Sequence, residues 1–205
     1  MSRSSDLSPG PASLGGAGLT TRALLLLLLI AGALLCLQGL WIPVKAQLAQ
    51  VLLQRTFERS VAAGAPMKPW PWADTWPVAR VEAPRLGAQT VVLSGASGEA
   101  LAFGPGHVPG SAAPGQPGAV VYAAHRDTHF RFLEALRVGD RLEVTDRSGR
   151  RFRYRVTGMR VARWDRSGVF ARSSGARLVL ATCWPLDGSA RGPLRYLVEA
   201  RLEAS

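Results

Sequence analysis

The sequence predicts a mainly β domain, a closed or nearly closed barrel, carried on one N-terminal transmembrane helix. Three observations predict it. Ala23 to Leu40 carries no charge in a chain of 205 residues, and about 20 consecutive apolar residues span a bilayer as a helix. From Trp76 onward, short apolar stretches are separated by Gly, Pro and Asp turns, the pattern of many short strands. In the last stretch Leu194, Tyr196, Val198, Ala200 and Leu202 fall on one face, and Arg195, Leu197, Glu199 and Arg201 on the other. That period of two belongs to a half-buried strand.

Taken in order, residues 1–22 are expected to form a short cytoplasmic tail, disordered through its Ser/Gly/Pro-rich part up to Gly18. Residues 23–42 are the expected anchor, with Trp41 where an interfacial aromatic would sit. A cleaved signal peptide competes, because Val44-Lys45-Ala46 loosely resembles a cleavage site. The run is longer than a signal-peptide core, and Leu35 is too bulky to precede a lipoprotein Cys36, so the retained anchor is preferred. Arg3 and Arg22 precede the span and Lys45, Arg55 and Arg59 follow it. The positive-inside count is thus nearly balanced, and a short tail inside with the domain outside is the default orientation.

Residues 43–75 read as a juxtamembrane helix followed by a linker. Gln47 to Val61 has helical spacing, with Leu48, Val51, Leu52 and Arg55 on one side. Pro66, Pro69, Pro71 and Pro77 interleave with Trp70, Trp72 and Trp76, which predicts a stiff, extended connection whose tryptophans need a surface. The main folded domain is expected at 76–205. Its strands are expected at Val78–Val81, Gln89–Leu93, Ala119–Ala124, Arg141–Thr145, Arg151–Val161, Arg177–Thr182 and Leu194–Leu202, with a Ser148-Gly149 turn in the central pair. Short helices are expected at Thr128–Leu136 and Leu101–Phe103.

The net charge of +11 is carried mainly by arginine. The arginines of Arg151-Phe152-Arg153-Tyr154-Arg155-Val156 alternate with apolar residues, so they mark a solvated strand face. There is no lysine cluster or aromatic-rich RNA-binding motif, and nucleic acid is not an expected partner. Membrane lipid is, through the anchor.

Cys183 is the only cysteine outside the N-terminal apolar run. It ends an apolar strand, Leu178 to Thr182, and taken alone it reads as a small buried hydrophobe. Two other residue types change that reading. Arg195 opens the next strand, so antiparallel pairing would set guanidinium beside thiol. His125 follows another strand end, Val120-Val121-Tyr122-Ala123-Ala124. A Cys can act as nucleophile through its thiolate, a His as its proton partner, and an always-charged Arg as oxyanion stabiliser or substrate clamp. Arg191 competes with Arg195 from a Gly/Ser-rich loop that would hold it less firmly. His125 and His129 stand four apart, but no Glu lies between them and no third ligand is evident, so no metal or other cofactor is expected. His107 follows Gly104-Pro105-Gly106 and reads as a loop residue.

The block from Trp70 to Ala200 resembles a sortase, and among sortases the proteobacterial class GN. The matching segments are Lys68 to Arg80, Leu101-Ala102-Phe103-Gly104-Pro105-Gly106-His107, His125-Arg126-Asp127-Thr128-His129-Phe130, Thr182-Cys183-Trp184-Pro185 and Gly192-Pro193-Leu194-Arg195-Tyr196. The resemblance implies an eight-stranded β-barrel and a membrane-anchored cysteine transpeptidase. Cys183 would attack an LPxTG-like C-terminal sorting signal, His125 would serve as acid and base, and Arg195 as the clamp. Thr182, Trp184 and Ala124 are the implied substrate-binding residues. The family usually has Gly where this chain has Ala124, one added methyl that is tolerable unless the backbone there needs a positive φ. Leu186 and Gly188 replace the commoner Phe and Ala beside the site, and that departure bears on substrate preference. The implied partners are a protein bearing the sorting signal and an amine acceptor. The implied location is the inner membrane of a Gram-negative envelope, with the domain in the periplasm. The alternatives are a non-catalytic membrane-tethered peptide-binding barrel and a cysteine hydrolase acting on envelope peptides. An L,D-transpeptidase is excluded, since its Ser-His-Gly-Cys arrangement is absent.

Overall fold

The computed structural model describes residues 15–169, 175–190 and 192–203. The stretch 1–14, Arg191 and the side chain of Trp41 lie outside the described residues. The contacts divide the chain into two units, Met1–Gln47 and Leu48–Ser205.

In the first unit, the helix α1 (Gly15–Ala63, continuing into the second unit) already includes Gly15 to Gly18, the end of the stretch that composition suggests is disordered. Its segment Thr21–Ala63 is long and apolar enough to cross a membrane. Leu24 to Ile30 are all more than half exposed, the state of side chains with no protein surface to cover them.

The last turns of α1 belong to the second unit. There the buried side chains are Ala49, Leu53, Thr56, Phe57 and Ser60, whereas Leu48 and Val51 are exposed. The expected face is therefore rotated by about one residue. The sequence holds two candidate apolar stripes side by side. Phe57 decides between them, because its ring fits with Leu53 against Val91, Leu93 and Ala100. Burying such a side chain stabilises by about 1.5–3 kcal/mol. Gly64, at φ 64°, ends the helix with a left-handed residue that only Gly adopts cheaply. The Pro/Trp segment that follows is folded back rather than extended. Ala73 N–H closes a turn on Trp70 O, Met67 N–H bonds the buried Ser60 hydroxyl, and Trp70 meets Phe103 edge-on at 5.0 Å. Trp72 stays exposed.

Eight strands close into a barrel: β1 (Pro77–Ala83), β2 (Ala88–Ser94), β3 (Gly106–His107), β4 (Gly118–Ala123), β5 (Arg141–Asp146), β6 (Arg151–Arg163), β7 (Ala176–Cys183) and β8 (Leu194–Leu202). Around the barrel they run β1-β2-β3-β4-β7-β8-β6-β5. Pairs β2–β3 and β4–β7 are parallel and the rest antiparallel; β5 returns to β1 and leaves no edge. The short helix α2 (Gly98–Phe103) starts at Ser97, whose hydroxyl accepts from Ala100 N–H. The helix expected at Thr128–Leu136 is a 3₁₀ turn at Arg131–Ala135. His107 is not in a loop but in β3. It was missed because two residues, Gly and His, are too few to show alternation.

Alternation sorts the side chains. Val120, Tyr122, Leu178, Leu180, Val198 and Ala200 fill the barrel with Leu142, Val144, Tyr154 and Val156. The neighbours Ala119, Val121, Val179 and Leu197 form a second cluster with Val169 on the outer side of β4, β7 and β8. These strands are buried on both faces, which is why they read as continuous apolar runs. On β6 the alternation is one-sided. Tyr154 and Val156 point inward, while Arg151, Arg153 and Arg155 are exposed. Arg151 and Arg153 reach Glu143, and Arg155 reaches Glu203.

Candidate active site

Cys183, His125 and Arg195 line one cavity of about 380 Å³. Three strand ends build it. β4 and β7 run parallel in register, with Ala123 opposite Ala181, so the chain leaves β4 toward His125 beside the end of β7. β7 and β8 run antiparallel, and Cys183 is the register partner of Arg195. Parity then selects the face. Val121 and Ala123 on β4, Ala181 and Cys183 on β7, and Arg195 and Leu197 on β8 share the outer side and all line the cavity. A slip of one residue in β7 would put the thiol inside the barrel and Thr182 outside.

The Cys183 thiol is half-buried, Cys36 is exposed, and neither is in a disulfide. Arg195 Nη1 donates to Gly192 O at 3.0 Å and Leu194 O at 2.8 Å. No carboxylate pairs with it among the described residues. Its charge therefore remains uncancelled at the cavity wall. His125 is exposed, and its carbonyl accepts from Phe130 N–H at 3.2 Å. His129 has its pKa held below 6.5 by burial first and by the neighbouring His125 second. Among the described residues no group of three or more His, Cys, Asp or Glu side chains gathers as metal ligands would.

The remaining expected residues divide. Thr182 is 2 % exposed, and its hydroxyl donates to Ala124 O at 2.7 Å, while Ala124 N–H donates to Ala181 O at 3.1 Å. Thr182 and Ala124 line the cavity, but their bonds tie β7 to the backbone just before His125. Trp184 does not line it. Its ring stacks on Tyr196 at 5.8 Å, and its backbone N–H donates to Leu194 O.

Two neighbours of this centre escaped the sequence reading. Trp164, largely exposed, lines the cavity from the turn after β6, and its backbone N–H donates to Pro193 O. Arg126, directly after His125, reaches across to Pro185 O and Ala190 O. The signal for Arg126 was adjacency to His125; for Trp164 there was none, since its partner lies 29 residues further on.

A family model for the sortase domain matches residues 81–203. The chain belongs to the sortase family. It is similar to sortase D of Bacillus subtilis (strain 168), 29% identical over 119 residues, 58% of this chain and 60% of that one. Among solved structures it is similar to sortase A from Corynebacterium diphtheriae, at 26% identity and a TM-score of 0.58, over 65% of this chain and 64% of that one. The match thus spans under two thirds of either relative. A sortase D5 transpeptidase from Clostridium perfringens superposes over 77% of this chain and 98% of that one with a TM-score of 0.60; at 22% identity this likeness speaks for the fold alone. The closed eight-stranded barrel is the sortase fold.

Proposed function

We propose that this chain is a membrane-anchored cysteine transpeptidase that cleaves an LPxTG-like C-terminal sorting signal and passes the protein to an amine. One observation carries the reading: Cys183, His125 and Arg195 line the same cavity from three strand ends. Membership of the sortase family supports it. Residues 23–42 serve as the anchor, and the domain faces the periplasm from the inner membrane, as in the class GN sortases that the motifs resemble.

The Cys183 thiolate attacks the carbonyl carbon of the signal's Thr, and the carbonyl π electrons move onto oxygen. The Arg195 guanidinium faces that oxyanion with its uncancelled charge. As the C–N bond breaks, imidazolium His125 gives its proton to the departing amine and leaves a thioester. The acceptor amine then attacks the thioester carbon. His125 takes the amine's proton, the C–S bond breaks, and a new amide and the thiolate are formed. Thr182 and Ala124 hold the His125 strand end, and Trp184 with Tyr196 forms an aromatic ledge beside Cys183 for substrate.

The full-length chain in detergent, mixed with an LPxTG-type peptide, is expected to gain the mass of the acyl fragment on Cys183. Cys183→Ala is expected to abolish that adduct. An adduct that survives the substitution, or its failure to form with any sorting-type peptide, overturns the proposal.

A further inference from the structure

The catalytic reading leaves Arg126 unused, although it is better held than either residue it stands beside. Its Nη1 donates to Pro185 O at 2.6 Å and to Ala190 O at 3.1 Å. Those carbonyls belong to the loop that joins Cys183 at the end of β7 to Arg195 at the start of β8. Gly188, at φ 79°, brings its backbone against the same guanidinium, where an added Cβ would lie 3.7 Å from Nη2. Asp187 on this loop has its pKa lowered, chiefly by bonds from Ser189 and further by the charge of Arg126. Among the described residues, the bonds within the loop's middle are Gly188 N–H to Pro185 O and those of Ser189 to the Asp187 carboxylate.

The residue on the other side of His125 is cross-linked too. Ala124 is tied to Ala181 and Thr182. The histidine's backbone is thus fastened at both flanks to the segment that carries Cys183, before it by β7 and after it by the β7–β8 loop.

We propose that Arg126 is a positioning residue of the acyl-transfer centre: by gripping Pro185 O and Ala190 O it holds the loop between Cys183 and Arg195 in register with His125. The inference rests on the transpeptidase reading for its consequence, but its geometry does not depend on it. Hydrogen bonds to a charged donor are stronger than neutral ones. A guanidinium can serve two carbonyls in one plane, which a lysine ammonium, a point charge on a flexible stem, does not reproduce. Lysine therefore separates the grip from the charge.

The test uses the full-length chain in detergent with Arg126→Lys, Arg126→Met and His125→Ala. Two readouts are taken. With a sorting-type peptide, Arg126→Met is expected to lower kcat about 10²-fold with little change in KM, the cost of misplaced reacting groups. Arg126→Lys is expected to lose about 10-fold, because charge alone does not restore the grip. Without any peptide, the pH midpoint of Cys183 alkylation by iodoacetamide, followed by mass on the Cys183 fragment, is expected to move from wild type toward that of His125→Ala in both Arg126 variants. Circular dichroism and the melting temperature check that each variant is folded. Wild-type kcat in Arg126→Lys, or an alkylation midpoint unmoved in the folded variants, overturns the inference. Because alkylation needs no sorting signal, it still judges Arg126 if the wild type never forms a peptide adduct, the result that would sink the transpeptidase reading instead.

Discussion

Two arginine-rich regions of this barrel treat the same side chain in opposite ways. On the β5–β6 hairpin, Arg151 and Arg153 share Glu143, and Arg141 and Arg155 share Glu203. At the rim made by β4, β7 and β8, Arg126 and Arg195 donate instead to backbone carbonyls. A carboxylate cancels the charge it pairs with; a carbonyl fixes the guanidinium and leaves its charge in place. The hairpin arginines thus keep a sheet face in water, while a rim arginine is a fixed cation beside a thiol. Net charge does not distinguish them. Their acceptors do.

The comparison is tested most severely at Arg195. Arg195→Ala is expected to lower kcat/KM by about 10²–10³-fold, or about 3–4 kcal/mol of transition-state stabilisation. Its melting temperature is expected to stay near that of wild type. Arg153→Ala, assayed beside it, is expected to match wild type in both measurements. Equal losses in the two variants would erase the distinction between hairpin and rim.

A smaller effect, in the opposite currency, is expected under the hairpin. Gly115 has φ 77°, and a Cβ there would lie 2.1 Å from the Phe152 ring on β6. Its N–H also donates to the Tyr154 hydroxyl at 2.9 Å. Gly115→Ala combines a left-handed backbone with overpacking and is expected to cost about 2–4 kcal/mol in urea unfolding. The activity of the molecules that remain folded is expected to be unchanged. A loss of activity at constant stability would show that the hairpin's inner face reaches the active site.

The smallest effect is expected at Glu143. Its pairs with Arg151 and Arg153 have arginine side chains that are more than half exposed. Glu143→Gln is expected to cost less than about 1 kcal/mol, and less still at high salt. A larger loss would make the hairpin network structural and blur its contrast with the rim.

Much of the barrel was legible because strand periodicity is local. Seven strands were readable from apolar runs and their turns, and the structure places each within a few residues of its expected bounds. The eighth, β3, was not, since its two residues carry no pattern. The face of α1 was misread for a related reason. Leu48 and Val51 are as apolar as Leu53, and only the shape of the surface under Phe57 separates the two stripes. The Pro/Trp segment reads as stiff from composition, yet Trp70 finds Phe103 and the chain turns to meet it.

The site divides along the same line. Cys183 and Arg195 are close in sequence, so a single antiparallel pairing joins them, and that pairing could be guessed. His125 lies 58 residues before Cys183, and a parallel pairing of β4 with β7 brings their strand ends together. No local pattern announces a parallel pair across such a distance. Arg126 was invisible as a clamp because its acceptors are main-chain carbonyls, which every residue possesses.

By itself, then, the sequence determined the apolar helix, the strands with their inward and outward parity, and the order of the thiol, imidazole and guanidinium groups. These follow from periods of two and 3.6 and from residue chemistry, all readable within a few neighbours. Only the tertiary structure decided which stripe of α1 is covered, that β3 bridges β2 to β4, and that the thiol lies on the cavity side of β7. It also decided that Arg126 spans from the His125 strand to the Cys183–Arg195 loop. Those outcomes depend on which distant surfaces bury each other best, a sum over the whole barrel that no window of sequence contains.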